Sequence, residues 1–178
     1  MAPAFCVSAL FLAGVAGLCT AGCEQRHDLP ADAVAELGRN YMTGASGYPP
    51  DPGKAREMFE FAAQKGSGAG LFYLGLLAYE GNGRAPDVKE ACGLFAQSAA
   101  RNHPAGLREY GECQLQGAGG VAKDPRAAAD SFRASIANGG VQAYESLARL
   151  HGSGEGVPKD PAEQARLLQK RDALRAGR

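Results

Sequence analysis

Leu147-Ala148-Arg149-Leu150-His151-Gly152-Ser153-Gly154-Glu155-Gly156-Val157-Pro158-Lys159-Asp160-Pro161 is the clearest copy of a unit that this chain writes four times. Its closing aspartate recurs as Asp51, Asp87, Asp124 and Asp160, at intervals of 36, 37 and 36 residues. Each aspartate follows a glycine-containing turn that begins at Gly47, Gly83, Gly120 or Gly156. Upstream stand Leu37-Gly38, Leu74-Gly75, Tyr110-Gly111 and Leu147-Ala148, and six residues after each small residue comes Gly44, Gly81, Gly117 or Gly154. Self-similarity at such a period is the mark of stacked supersecondary units, each too small to bury its own apolar face.

Each unit reads as two helices. The first is expected to start at Ala33, Gly70, Gly106 or Ala143, run about three turns, and stop at the glycine that takes the left-handed conformation closing a helix. The second starts at the aspartate, whose carboxylate accepts orphan amide hydrogens of the first turn. Pro52, Pro125 and Pro161 follow, in a position where a missing N–H costs nothing. Eight residues after each aspartate stand Phe59, Phe95, Phe132 and Leu168, placed to pack on the preceding helix. The second helix ends near Gly66, Asn102 and Gly139. The small residue after each leucine or tyrosine lets the two antiparallel helices of a hairpin approach closely.

These residues resemble the Sel-one-like repeat, a relative of the tetratricopeptide repeat. The resemblance rests on the Leu-Gly pair, Gly-x-Gly-Val, the aspartate and the alanines after it, and it spans residues 31–175. It implies an all-α, right-handed superhelical solenoid of about four helical hairpins, with copies at 31–67, 68–103, 104–140 and 141–175. The tyrosine position of the pattern holds Tyr41, Ala78, Gln114 and His151. The fourth copy lacks the paired alanines, which points to a terminal cap.

The first 22 residues read as a signal peptide and residues 23–30 as a tether. No charged side chain precedes Glu24, and Phe5 to Leu18 is apolar enough to be the hydrophobic region of an export signal. Thr20-Ala21-Gly22-Cys23 resembles the bacterial lipobox, in which the cysteine becomes the lipidated amino terminus, so Cys23 is the expected lipidation site. The match departs at Thr20, where an aliphatic residue is usual, and in having no Lys or Arg near the start. An ordinary cleaved signal and an uncleaved span of roughly 20 residues are the alternatives. All three place residues 24–178 outside the cytoplasm, in the cell envelope: a periplasmic protein or an outer-membrane-anchored lipoprotein.

Nineteen basic and nineteen acidic side chains cancel. With no basic stripe and no interleaved aromatics, nucleic acid is excluded as a partner. His27, His103 and His151 are dispersed, the serines lack catalytic partners, and no Walker lysine accompanies the glycine turns, so no catalytic, metal or cofactor site is expected.

Two cysteines, Cys92 and Cys113, lie in the repeat region. They sit on consecutive helices, equidistant from the turn at Asn102-His103, and an oxidising compartment invites a disulfide between them. Relatives that staple their repeats with disulfides support the pairing; two buried free thiols are the other possibility.

What remains is surface. On the first helices, Phe72, Leu76 and Tyr79 of copy two, Arg108 and Glu112 of copy three, and Glu145 and Arg149 of copy four share a face. This stripe is the expected concave partner-binding surface, unless Phe72 and Leu76 merely fill the contact with copy one. The expected function is a non-enzymatic, exported protein-binding scaffold tethered to a membrane by a lipid anchor. An immunity protein against a secreted toxin is the alternative. A β-lactam hydrolase, for which no Ser-x-x-Lys motif is present, and a glycan-binding protein stand behind these.

Overall fold

The computed structural model describes residues 29–82 and 84–177. The signal-like segment and Cys23 lie outside the described residues. Within them the chain forms eight α-helices and no strand: α1 Ala31–Thr43, α2 Pro52–Gln64, α3 Gly68–Glu80, α4 Val88–Ala100, α5 Pro104–Gln116, α6 Pro125–Ala137, α7 Ala143–Ser153 and α8 Pro161–Ala176. They pair as four antiparallel hairpins stacked in chain order. None of these helices is long and apolar enough to cross a membrane.

The aspartates do the same work in each copy. Asp51 accepts the Lys54 amide at 3.0 Å, and Asp87 accepts that of Glu90 at 2.9 Å. Asp124 and Asp160 each accept two amides of the following turn. These bonds satisfy donors that a helix start leaves without partners. Each aspartate also donates its own amide back across the hairpin, to Tyr41 O, Ala78 O, Gln114 O and His151 O, all within 2.8–2.9 Å. The variable tyrosine position therefore contributes its backbone in all four copies, which is why its side chain is free to differ. At the intervening turn Gly44, Gly81, Gly117 and Gly154 have φ between 69° and 83°, in the left-handed region.

The hairpins close on a ring-against-glycine contact. Phe59, Phe95 and Phe132 are buried, and a Cβ built on Gly38, Gly75 or Gly111 would lie 2.5–2.6 Å from the facing phenylalanine. In copy four Ala148 replaces the glycine and the smaller Leu168 replaces the ring, packed at the edge of the core beside buried Leu167. The two substitutions are complementary in volume. Within α3–α4 and α5–α6 a buried serine reinforces the contact, Ser98 donating to Gly68 O and Ser135 to Pro104 O, both at 2.7 Å.

Three of the first helices begin earlier than the sequence reading placed them. Helix α3 starts at Gly68 because Ser67 accepts the Gly70 amide at 3.0 Å, and α5 starts at Pro104 because His103 Nδ1 accepts that of Gly106. Helix α1 starts at Ala31, behind Pro30. In copy four Gly140 stands where Ser67 and His103 stand in copies two and three and offers no side chain, and α7 begins at Ala143 behind Gln142, with no side-chain cap bond.

Adjacent copies share continuous apolar clusters, as a stacked array requires. Tyr73 of α3 stacks on Phe59 of α2 with ring centroids 4.7 Å apart, joining copies one and two. Leu115, Phe132, Leu147 and Leu167 belong to one cluster that unites copies three and four. Helix α1 packs on α3 and α3 on α5, whereas the second helices do not touch one another in this way. The first helices therefore line the inner, concave side. Helix α8 buries only Leu167 and leaves its outer face to solvent, as a terminal cap does.

Candidate partner-binding cleft

A cleft of about 390 Å³ opens between α3, α4 and α5. Its buried members, Phe95, Cys92 and Cys113, form the floor, with half-buried Leu76 beside them. The sulfurs of Cys92 and Cys113 stand 2.10 Å apart, with Cα atoms separated by 6.1 Å. This bond ties α4 of copy two to α5 of copy three beneath the cleft. At the rim Tyr79 is 57 % exposed, whereas the other described Phe and Tyr rings are buried or half-buried. Glu80, Glu109 and Glu112 stand around it.

The carboxylates differ in environment. Burial pushes the Glu109 carboxyl above its ordinary value; the Arg108 guanidinium beside it opposes the shift, and the Glu112 charge adds to it. Glu112 is held from copy four: Arg149 donates to both of its oxygens at 2.9 and 2.7 Å, and Ser146 donates at 2.8 Å. Glu80 is exposed and has no ion-pair partner among the described residues.

The stripe expected from the sequence is divided among several tasks. Leu76, Tyr79 and Glu112 do line one cleft. Phe72 instead lies against Phe95 and His103, with centroids at 6.1 and 5.3 Å, so it fills the junction of copies two and three. The alternative, that Phe72 and Leu76 fill the contact with copy one, differs from what is found: both pack on the cluster around Phe95 and the cysteines, and α3 meets copy one through Tyr73, Leu74 and Leu77. Arg108 pairs with Glu109, and Arg149 with Glu112. Glu145 pairs with Arg171 of α8 at 3.2 Å and shares a separate shallow cleft with Arg149. Four of the seven residues thus spend their charge within the solenoid. Glu109 and Glu80 were missed; both follow from turning the stripe about one residue around each helix, toward the i, i+3, i+7 row of Glu109, Glu112 and Gln116. Among the described residues no group of His, Cys, Asp and Glu is placed to hold a metal ion.

The Sel1 repeat profile matches residues 31–67, 68–103, 104–134 and 141–170. The chain belongs to the Sel1 repeat family. Solenoids of Sel1 repeats generally serve as scaffolds for protein–protein interaction. The chain is similar to cytochrome c oxidase assembly factor 7A of Xenopus laevis, with 28 % identity over 161 residues, 88 % of this chain and 68 % of that protein. Among solved Sel1 repeat folds it resembles a protective antigen of uropathogenic Escherichia coli strains, at 28 % identity and a TM-score of 0.68, across 81 % of this chain but 30 % of that one. It also superposes on a Sel1 repeat protein from Oxalobacter formigenes with a TM-score of 0.73 at 23 % identity, covering 86 % of this chain and 60 % of the other, a likeness of fold. The two solved proteins thus extend well beyond the length this chain spans.

Proposed function

We propose that this chain is an exported, membrane-tethered scaffold of the cell envelope that binds a segment of a partner protein in the concave cleft between its second and third repeats. The observation that carries the reading is the cleft itself: a concave surface with an apolar floor and an exposed tyrosine at its rim, on a fold whose family serves protein interaction. Exposed aromatics beside an apolar pocket are the side chains that most often anchor a protein contact. A relative named as an assembly factor agrees with a protein that holds other proteins instead of transforming a substrate.

Export is supported by the apolar, uncharged stretch before Cys23, and the disulfide fits an oxidising compartment. Lipidation of Cys23 supplies the tether.

The test is affinity capture from envelope extract of the native cells, comparing the wild-type chain with Tyr79→Ala. Tyr79 is exposed, so its truncation leaves the fold intact, which circular dichroism verifies. A protein retained by the wild type and lost with the variant supports the reading. Identical capture by both places the binding surface elsewhere. Labelled palmitate, incorporated by the wild type and not by Cys23→Ser, checks the tether.

A further inference from the structure

The cleft's chemistry narrows the partner. We propose that it selects a lysine or arginine side chain presented by an extended segment of the partner, a step that rests on the peptide-binding reading above. Three carboxylates, Glu80, Glu109 and Glu112, border the cleft, and no lysine, arginine or histidine lines it. Arg108 and Arg149 stand outside the lining and pair with Glu109 and Glu112, so Glu80 is the cleft carboxylate left without an ion-pair partner among the described residues. An acidic segment entering here meets the like charge of Glu80 and no cation on the lining.

An uncharged apolar segment is disfavoured for a different reason. Any occupant strips water from Glu109 and Glu112. Glu109 is already partly desolvated, as its raised carboxyl value reflects. Glu109 and Glu112 keep their arginines, but Glu80, covered by hydrocarbon without an added cation, pays its desolvation with no return. A basic side chain resolves the conflict. Its methylene stem lies on Leu76, Phe95 and the disulfide, while its charged head reaches the carboxylates at the rim. The exposed ring of Tyr79 offers a face for a cation–π contact at the same place. The volume of about 390 Å³ falls in the range of roughly 300–1,000 Å³ usual for specific ligand pockets, so the neighbours of the basic residue enter as well.

A random dodecapeptide phage library selected on the immobilised full chain tests this. The expected result is enrichment of Lys or Arg at one fixed position among binders. A synthetic peptide from that pool should lose affinity at least about tenfold against Glu80→Gln/Glu109→Gln and again against Tyr79→Ala. It should also weaken as salt rises. Both glutamine variants keep side-chain size and hydrogen-bonding capacity, and an unchanged thermal midpoint certifies their fold. Binders that lack a basic position, or that bind the double variant equally well, overturn the cation selection while leaving the peptide-binding reading standing. Recovery of no binder at all overturns that reading too. Convergence on the chain's own basic stretch around Lys170-Arg171 would assign the cleft to a second copy and refute a foreign partner.

Discussion

Replacing Gly75 by alanine should destabilise this protein, although alanine is by itself the better helix former by about 1 kcal/mol. The added Cβ would sit 2.5 Å from Phe95 Cε1 and 2.7 Å from Cδ1. Favourable carbon contacts need about 3.5–4.0 Å, so the ring must retreat by roughly 1 Å. Phe95 is 3 % exposed and packs against the disulfide and Phe72, leaving it little room to move. Overpacking of this kind costs about 1–3 kcal/mol. Subtracting the gain in helix propensity leaves a net loss of up to about 2 kcal/mol.

Copy four shows how the chain itself resolves the conflict, by pairing Ala148 with Leu168. Gly75→Ala combined with Phe95→Leu should therefore lose less than the sum of the single losses, with a coupling of about 1 kcal/mol or more. Urea unfolding of the four proteins of this cycle, followed by circular dichroism, measures it. A stabilising Gly75→Ala, or strict additivity in the double variant, would refute the ring-on-glycine account of how the hairpins close.

Breaking the cap of α6 with Asp124→Ala should lower unfolding free energy by about 1 kcal/mol, while Asp124→Asn should cost far less, both read from urea midpoints. Reduction of Cys92–Cys113, which spans 21 residues of sequence, should remove about 3 kcal/mol on a loop-entropy estimate; a denaturation midpoint unmoved by dithiothreitol would contradict it. Burial holds the His103 imidazole below its ordinary value of 6.5, with Asp32 opposing the shift, so protonation favours the unfolded chain. Stability should decline as pH falls from about 6.5 toward the lowered folded-state value, because the unfolded chain takes up a proton that burial keeps off His103 in the folded one. His103→Ser, copying the cap of α3, should flatten that part of the pH profile in thermal melts, and a slope equal to wild type would disprove the role.

The repeat was legible because its boundary residues have local reasons to be where they are. An aspartate that caps the next turn, a proline just after it, and a glycine with positive φ depend on a few neighbouring residues, so Asp124-Pro125 and Gly117 announce a helix start and a helix end without any tertiary contact. The starts of α3 and α5 were read late because Ser67 and His103 act as caps only through where their side chains point, and histidine is an unusual cap. Of the stripe expected from the sequence, Leu76, Tyr79 and Glu112 line one cleft, while Phe72 and the remaining charged residues face other neighbours. Which face of α3 meets copy one is set by the angle at which successive hairpins stack, and that angle follows from packing between rings such as Phe59 and Tyr73, far apart in sequence. A rotation of one residue exchanged Phe72 for Tyr73 at one junction and brought Glu109 to the cleft. The ion pairs Glu112–Arg149 and Glu145–Arg171 cross between helices, so sequence could place the charges on a shared face but could not pair them.

The central claim is that the concave cleft between the second and third repeats is where a partner binds. Photo-crosslinking in living native cells tests it most directly, with a benzophenone amino acid placed at Tyr79 in the cleft or at Arg126, an exposed position on α6 away from it. The account predicts a discrete crosslinked partner from position 79 and none of that species from position 126. The same species from both positions, or only from position 126, would contradict it.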